Sequence, residues 1–271
     1  SESAPLIGSS LLYQTSDGKR VWESGSYYSW VGRAALNYMI GRNNLYASIS
    51  RGRRPAVIAF NNCPDEVTRL KPEIIVSYEM GIKGVVLDSR LSYDLSLFYY
   101  DWSHFQSSRL TTDDNGTKKY VADDAGKAHS LGAEVGLRYT FSPEVSVFGN
   151  YAYIDGKFND EDGNGHVQEY AGNRFRLTPK SAAAVGIDVT LPVSRQATLY
   201  FRPTYSYKSK VYFENENSEL LSQQGYGLFN ANAGVLVKAP KYYYEVGLYG
   251  KNILNEKFLV DAGNSGNQIG F

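Results

Sequence analysis

Residues 130–141 read SLGAEVGLRYTF. Leu131, Ala133, Val135, Leu137, Tyr139 and Phe141 alternate with Ser130, Gly132, Glu134, Gly136, Arg138 and Thr140. The first set is apolar throughout, and the second carries both charges. Successive side chains of a strand point to opposite faces, so this segment predicts a β-strand between an oily and a wet environment.

The same division recurs along the chain. Residues 90–100 place Leu91, Tyr93, Leu95, Leu97 and Tyr99 opposite Arg90, Ser92, Asp94 and Ser96. Residues 28–40 set Tyr28, Trp30, Ala34, Leu36, Tyr38 and Ile40 against Arg33 and Asn37, and residues 74–86 set Ile74, Val76, Tyr78, Met80, Ile82 and Val86 against Glu79 and Lys83. Val185, Ile187, Val189 and Leu191 oppose Asp188. Leu199, Phe201 and Tyr205 oppose Arg202. Tyr242, Tyr244, Val246 and Leu248 oppose Glu245. Within these segments no charge falls on the apolar face. A soluble sheet tolerates an occasional charge at the edge of its buried face. Lipid is stricter, because an Arg or Lys at the bilayer midplane costs about 2–4 kcal/mol.

Length points the same way. The runs last about 9–13 residues, where soluble strands have a mode of about 5–6 and tilted membrane-spanning strands need about 9–11. Aromatic residues gather toward the ends of the apolar faces, at Tyr28 and Trp30, Tyr38, Tyr99, Tyr139 and Phe141, Tyr151 and Tyr153, and Tyr205 and Tyr207. Amphipathic rings suit the headgroup layer, so these positions predict interfacial girdles.

The connections alternate in length. Short ones fall at Gly41-Arg42-Asn43-Asn44, Asp88-Ser89, Ser142-Pro143-Glu144, 192–196 and Ala239-Pro240-Lys241, all with turn chemistry. Long polar stretches lie between them, at 54–73, 102–129, 155–179 and 208–227. Short turns on one side and long loops on the other are the habit of outer-membrane barrels. About ten strands result. A further hairpin is expected over residues 6–25 about Asp17-Gly18, and Asn115-Gly116 predicts a hairpin tip within the second long loop.

The 271 residues carry 28 basic and 28 acidic side chains, so no nucleic-acid footprint is visible. No run of 18 apolar residues exists, which excludes helical spans and leaves a barrel open. The lone Cys63 cannot form an internal disulfide. The chain begins Ser1-Glu2-Ser3, with neither Met nor a signal peptide.

Several phrases resemble the TonB-dependent outer-membrane receptors. NLYASISRGRRP (44–55), LKPEIIVSYEMGIKG (70–84), DAGKAHSLGAEVGLRYTFSPEVSVFGNYAYIDGKF (124–158), YGLFNANAGV (226–235) and VGLYGKNILNEKFLV (246–260) follow in that family's order. The resemblance implies an all-β, antiparallel transmembrane β-barrel, of which about ten consecutive strands of roughly 22 lie here. It also implies an amino-terminal plug and a TonB-box, and neither is found in residues 1–271. Gly270-Phe271 stops within the last loop, short of a closing strand. The chain is therefore expected to be a partial receptor barrel. Its two unpaired edges would keep it from inserting or transporting alone.

No covalent chemistry is expected, since no nucleophile elbow, Cys-x-x-Cys, P-loop or paired-carboxylate motif stands out. Asp160-Glu161-Asp162-Gly163-Asn164-Gly165 matches the first half of a calcium loop, with Asp160, Asp162 and Asn164 as ligands, but Ala171 stands where a bidentate Glu belongs. No other cofactor is expected. His104, His129 and His166 show no metal-ligand spacing. Arg51, Arg53 and Arg54, where an outward strand emerges, read as an anion-attracting rim for a metal chelate, or as contacts to lipopolysaccharide phosphate or plain solvent. Trp102, His104 and Phe105 read as a stacking platform for ligand, or as part of the outer girdle. Arg33, Glu79, Lys83, Glu134, Arg138, Asp188, Arg202 and Glu245 are expected to line the lumen, hydrated or holding the plug. By resemblance, the intact protein would sit in the Gram-negative outer membrane among its lipid and lipopolysaccharide. It would bind a small-molecule or metal-chelate ligand, most often a ferric siderophore, and draw energy through TonB. The competing readings are a passive porin and a soluble β-rich adhesin or carbohydrate-binding module.

Overall fold

Alternation over long segments produces long strands. The computed structural model describes residues 7–14, 18–60, 67–112, 118–162 and 164–262. In chain order the strands are β1 (Ile7–Gln14), β2 (Arg20–Tyr27), β3 (Gly32–Ile40), β4 (Asn43–Arg54), β5 (Val57–Phe60), β6 (Val67–Leu70), β7 (Glu73–Val86), β8 (Leu91–Ser103), β9 (Gln106–Thr112), β10 (Lys118–Asp124), β11 (Ala128–Ser142), β12 (Val145–Phe158), β13 (Ser181–Pro192), β14 (Ala197–Lys208), β15 (Val211–Tyr212), β16 (Ser222–Gln223), β17 (Tyr226–Lys238) and β18 (Tyr243–Gly250). Ten of them form one antiparallel sheet in the order β18-β17-β14-β13-β12-β11-β8-β7-β4-β3. It is a meander, a section of barrel wall, with β3 and β18 as its edges. β1–β2, β5–β6, β9–β10 and β15–β16 are separate hairpins.

The register makes one face continuous. Leu36 pairs with Ala47, Ala47 with Met80, Met80 with Leu97, and Leu97 with Ala133. Farther around, Val189 pairs with Phe201, and Val235 with both Leu199 and Val246. Among the described residues this face meets no second protein layer: Leu36 is 73% exposed, Leu97 55% and Val246 69%. Leu95, Val135, Val189 and Val246 therefore do not converge on a dry core, as a soluble sheet would require. The buried cluster of Ala125, Ala128, Phe158 and Tyr170 lies instead at the long-loop end.

The short turns form where turn chemistry predicts them. Gly41 takes a left-handed φ of 58°, and the 87–90 turn holds Leu87, Asp88 and Ser89 at φ 53°, 53° and 70°. Asp and Ser tolerate that region, while a leucine there is uncommon. The strand expected over 28–40 begins only at Gly32. The backbone leaves the ladder before it, and Trp30 packs under Arg51 instead. The long connections hold more structure than their polarity suggested. β5 and β6 pair within the first, and β9 and β10 within the second. The tips at Asp17 and Asn115-Gly116, Cys63 and Gly270-Phe271 lie outside the described residues.

Candidate functional site

The polar face is the inner one, and its charges fall into two groups. Glu79 on β7, Asp94 on β8 and Glu134 on β11 share a groove of about 510 Å³ with Tyr46 and Asn150. Tyr46 donates its hydroxyl to Glu79 Oε1 at 2.9 Å. Nearer the short turns, Arg138 Nη1 reaches Asp188 Oδ2 at 2.7 Å, and Arg202 Nε lies 3.5 Å from Asp188 Oδ1. Tyr200 donates to Glu245 Oε1 at 2.9 Å. Lys83 stands beside Asp94 in register, and Arg33 beside Ser50. All eight predicted lumenal side chains thus lie on the face opposite the apolar belt. Such a wall can hold water or a polar insert.

The Gly132-Ala133-Glu134 step shows how the wall is built. Phe98 packs over Gly132, where a Cβ would come within 2.2 Å of its ring and 2.7 Å of the Tyr153 carbonyl. Only glycine leaves that space.

At the long-loop end the inner face changes character. Trp102, Phe105, Phe158 and Phe175 pack together, with Phe105 and Phe175 stacked at 5.1 Å and Trp102 edge-on to Phe175 at 5.5 Å. Tyr170 joins Phe158 at 5.4 Å. Phe158 and Phe213 are completely enclosed. The loops are also laced by amides. Asn173 Nδ2 donates to the Asn215 carbonyl at 2.9 Å, Asn217 Oδ1 accepts the Arg174 N–H at 2.7 Å, and Asn215 Nδ2 donates to Ser107 Oγ at 2.7 Å. The second, third and fourth long connections form one roof. This corrects the girdle reading of Trp102 and Phe105, because Trp102 pairs with inward-facing Ala128 and its ring is spent on the roof.

The three arginines at the end of β4 are separated by the pleat. Arg51 and Arg53 pair with Val76 and Ile74 and share the outward face, whereas Arg54 pairs with Glu73 and turns inward. Arg54 Nη1 donates to the Gln106 carbonyl at 3.2 Å. The single rim expected of them does not form.

His104 is brought to an unexpected neighbourhood. With Asp124, Asp162, Asn164, His166 and Glu169 it lines a cleft of about 540 Å³ between the second and third connections. His104 Nδ1 meets Asp124 Oδ2 at 2.8 Å. Asp162 Oδ1 accepts the Asn164 and His166 N–H groups at 2.7 and 3.0 Å. These donors hold its carboxyl down at about 2. The carboxylate thus closes its own turn. Among the described residues no three His, Cys, Asp or Glu side chains converge as a metal site.

Comparison with known proteins places this geometry. The family described as "TonB dependent receptor-like, beta-barrel" matches residues 13–253. The ferric yersiniabactin uptake receptor FyuA of Yersinia pestis superposes with a TM-score of 0.73 at 18% identity, covering 92% of this chain and 36% of that one. BauA, the ferric preacinetobactin receptor of Acinetobacter baumannii, gives 0.63 at 21% identity, covering 89% and 34%. The probable TonB-dependent receptor BfrD of Bordetella pertussis is 28% identical over 133 residues, 45% of this chain and 17% of its own length. The chain thus spans about a third or less of the length of these relatives.

Proposed function

Because the chain belongs to the TonB-dependent receptor family, we propose that the whole protein is an active importer of the Gram-negative outer membrane. The family is one of transport receptors rather than enzymes, and its fold is the antiparallel barrel found here. The proposed cargo is a ferric siderophore or a comparably scarce chelate. Two solved receptors that share this fold are named for such cargo.

The observation that carries the reading is the two-faced sheet. An uncovered apolar belt runs across ten strands, and charged residues line the other side. A closed barrel of this wall presents the belt to lipid and the charges to the lumen. In the intact receptor, Glu79, Asp94 and Glu134 would attract cationic groups of a plug. Arg138 and Arg202 would attract anionic ones, with TonB supplying the work that displaces the plug. Family membership sets aside the passive porin and the soluble module.

The test is uptake. A strain lacking the gene, grown under iron limitation, should lose accumulation of an iron-labelled chelate and regain it with the full-length gene. That recovery should disappear when TonB is deleted. Uptake indifferent to TonB would overturn the reading.

A further inference from the structure

Three consecutive residues of the second long connection hold the other three connections. Phe105 stacks on Phe175 of the third at 5.1 Å and meets Phe158 edge-on at 5.4 Å. Gln106 is only 6% exposed. Its Nε2 donates to the Pro55 and Lys71 carbonyls of the first connection at 2.8 and 2.9 Å, and its backbone N–H donates to Glu73 Oε2 at 2.8 Å. Ser107 Oγ accepts from Asn215 Nδ2 of the fourth at 2.7 Å. Gln106 and Ser107 open β9, and successive side chains of a strand point to opposite sides. One therefore reaches the first connection while the next reaches the fourth. The third and fourth are also joined directly. Asn217 Nδ2 donates to the Arg174 carbonyl at 2.9 Å, and the Leu177 N–H to the Tyr212 carbonyl at 2.7 Å.

We infer that the four long connections form one preformed body centred on residues 105–107, and that import leaves this body shut. The inference rests on the importer reading above. A loop that closes only on cargo needs apolar surface or backbone groups for the cargo to complete. Here the chain's own atoms enclose Phe158 and Phe213, and carbonyls take both N–H groups of the Gln106 amide. Lifting the first connection strands that buried amide. Lifting the third uncovers Phe158, and lifting the fourth uncovers Phe213, each against the hydrophobic effect. The ordering of these loops is therefore complete before cargo arrives, and cargo meets a preorganised wall. The part that moves to admit it lies outside residues 54–227.

Two measurements on the full-length receptor test this. The first is hydrogen exchange in mild detergent. Gln106→Ala should speed exchange at residues 173–177 and 213–217 about tenfold, although the Gln106 amide bonds to neither segment, because a single body opens as one. A rise confined to residues 54–73 and 105–107 would overturn the proposal. The second is uptake by whole cells with Cys63 replaced. Arg174→Cys and Tyr212→Cys put two thiols on the third and fourth connections, where the guanidinium lies 5.9 Å from the ring centre. Joining them with a reducible bis-methanethiosulfonate spacer should leave uptake of the iron-labelled chelate at the rate of unjoined cells. Uptake that stops on joining and returns with a reductant would overturn the proposal. The spacer needs no change at residue 106, so it decides the matter even where Gln106→Ala fails to fold. Uptake absent from wild-type cells would overturn the importer reading itself, whereas uptake lost only on joining overturns the fixed roof alone.

Discussion

Leu97 and Phe158 are both large apolar residues on the wall of one sheet, yet Leu97 is 55% exposed to water and Phe158 only 1%. Leu97 belongs to the outward belt at mid-strand. Phe158 belongs to the inner face, under the loop roof. The two differ in what covers them. Protein covers Phe158, because three loops fold back over the inner face and need an aromatic core to hold them. Among the described residues nothing covers the belt, and period-two apolarity across ten strands fits hydrocarbon as the cover in the proposed barrel. One sheet thus contains two kinds of burial, distinguished by face and by height.

The largest effect that would sharpen this contrast is Phe158→Ala. Removing a fully enclosed ring should cost about 3–5 kcal/mol. Denaturant unfolding of the vesicle-inserted receptor would measure it, with hydrogen exchange showing the loss concentrated in residues 102–105 and 170–175. Leu97→Arg should cost about 2–4 kcal/mol in a bilayer. Asn150→Arg, on the inner face beside the Glu134 groove, should stay within about 0.5 kcal/mol. Equal costs at these two positions would break the distinction between the faces.

Much of the sheet could be read directly from alternation. Residues 130–141 foretold nearly all of β11, and parity alone set Arg33, Glu79, Lys83, Glu134, Arg138, Asp188, Arg202 and Glu245 on the face opposite the apolar belt. Parity is a local property, and a single strand displays it. The roof was not readable in this way. It depends on contacts such as Asn215 with Ser107, which are 108 residues apart in the chain. A signal did exist. Ala152, Ile154, Gly156 and Phe158 continue the inward alternation past residue 155, where polarity suggested that a loop had begun. The arginines at the end of β4 failed for a similar reason. Taken as a cluster in sequence they looked like one rim, but the pleat sends Arg51 and Arg54 to opposite faces.

Two smaller effects probe the polar regions. Asp188→Asn leaves Arg138 and Arg202 facing each other across the wall. The groups are partly exposed, so the loss should be only about 0.5–1 kcal/mol and should shrink as salt rises. The smallest effect concerns the loop at Asp162. Its carboxyl is held at about 2, below the usual 3.8, by two backbone N–H donors. A depressed carboxyl stabilises its partners above the ordinary value and loses that effect as pH falls through the depressed one. Protection of the His166 amide should therefore persist at pH 5 and fade between about pH 4 and 2. Asp162→Asn should lack this transition.

The most direct test is spin-label accessibility along β8 in the full-length receptor, with Cys63 replaced. Labels at positions 95, 97 and 99 should be relaxed by oxygen dissolved in the bilayer. Labels at 94, 96 and 98 should respond to a water-soluble nickel reagent or be shielded within the barrel. A period of two, with lipid contact on the Leu95–Leu97–Tyr99 side, is the predicted result. Oxygen contact on both sides, or on neither, would contradict the account.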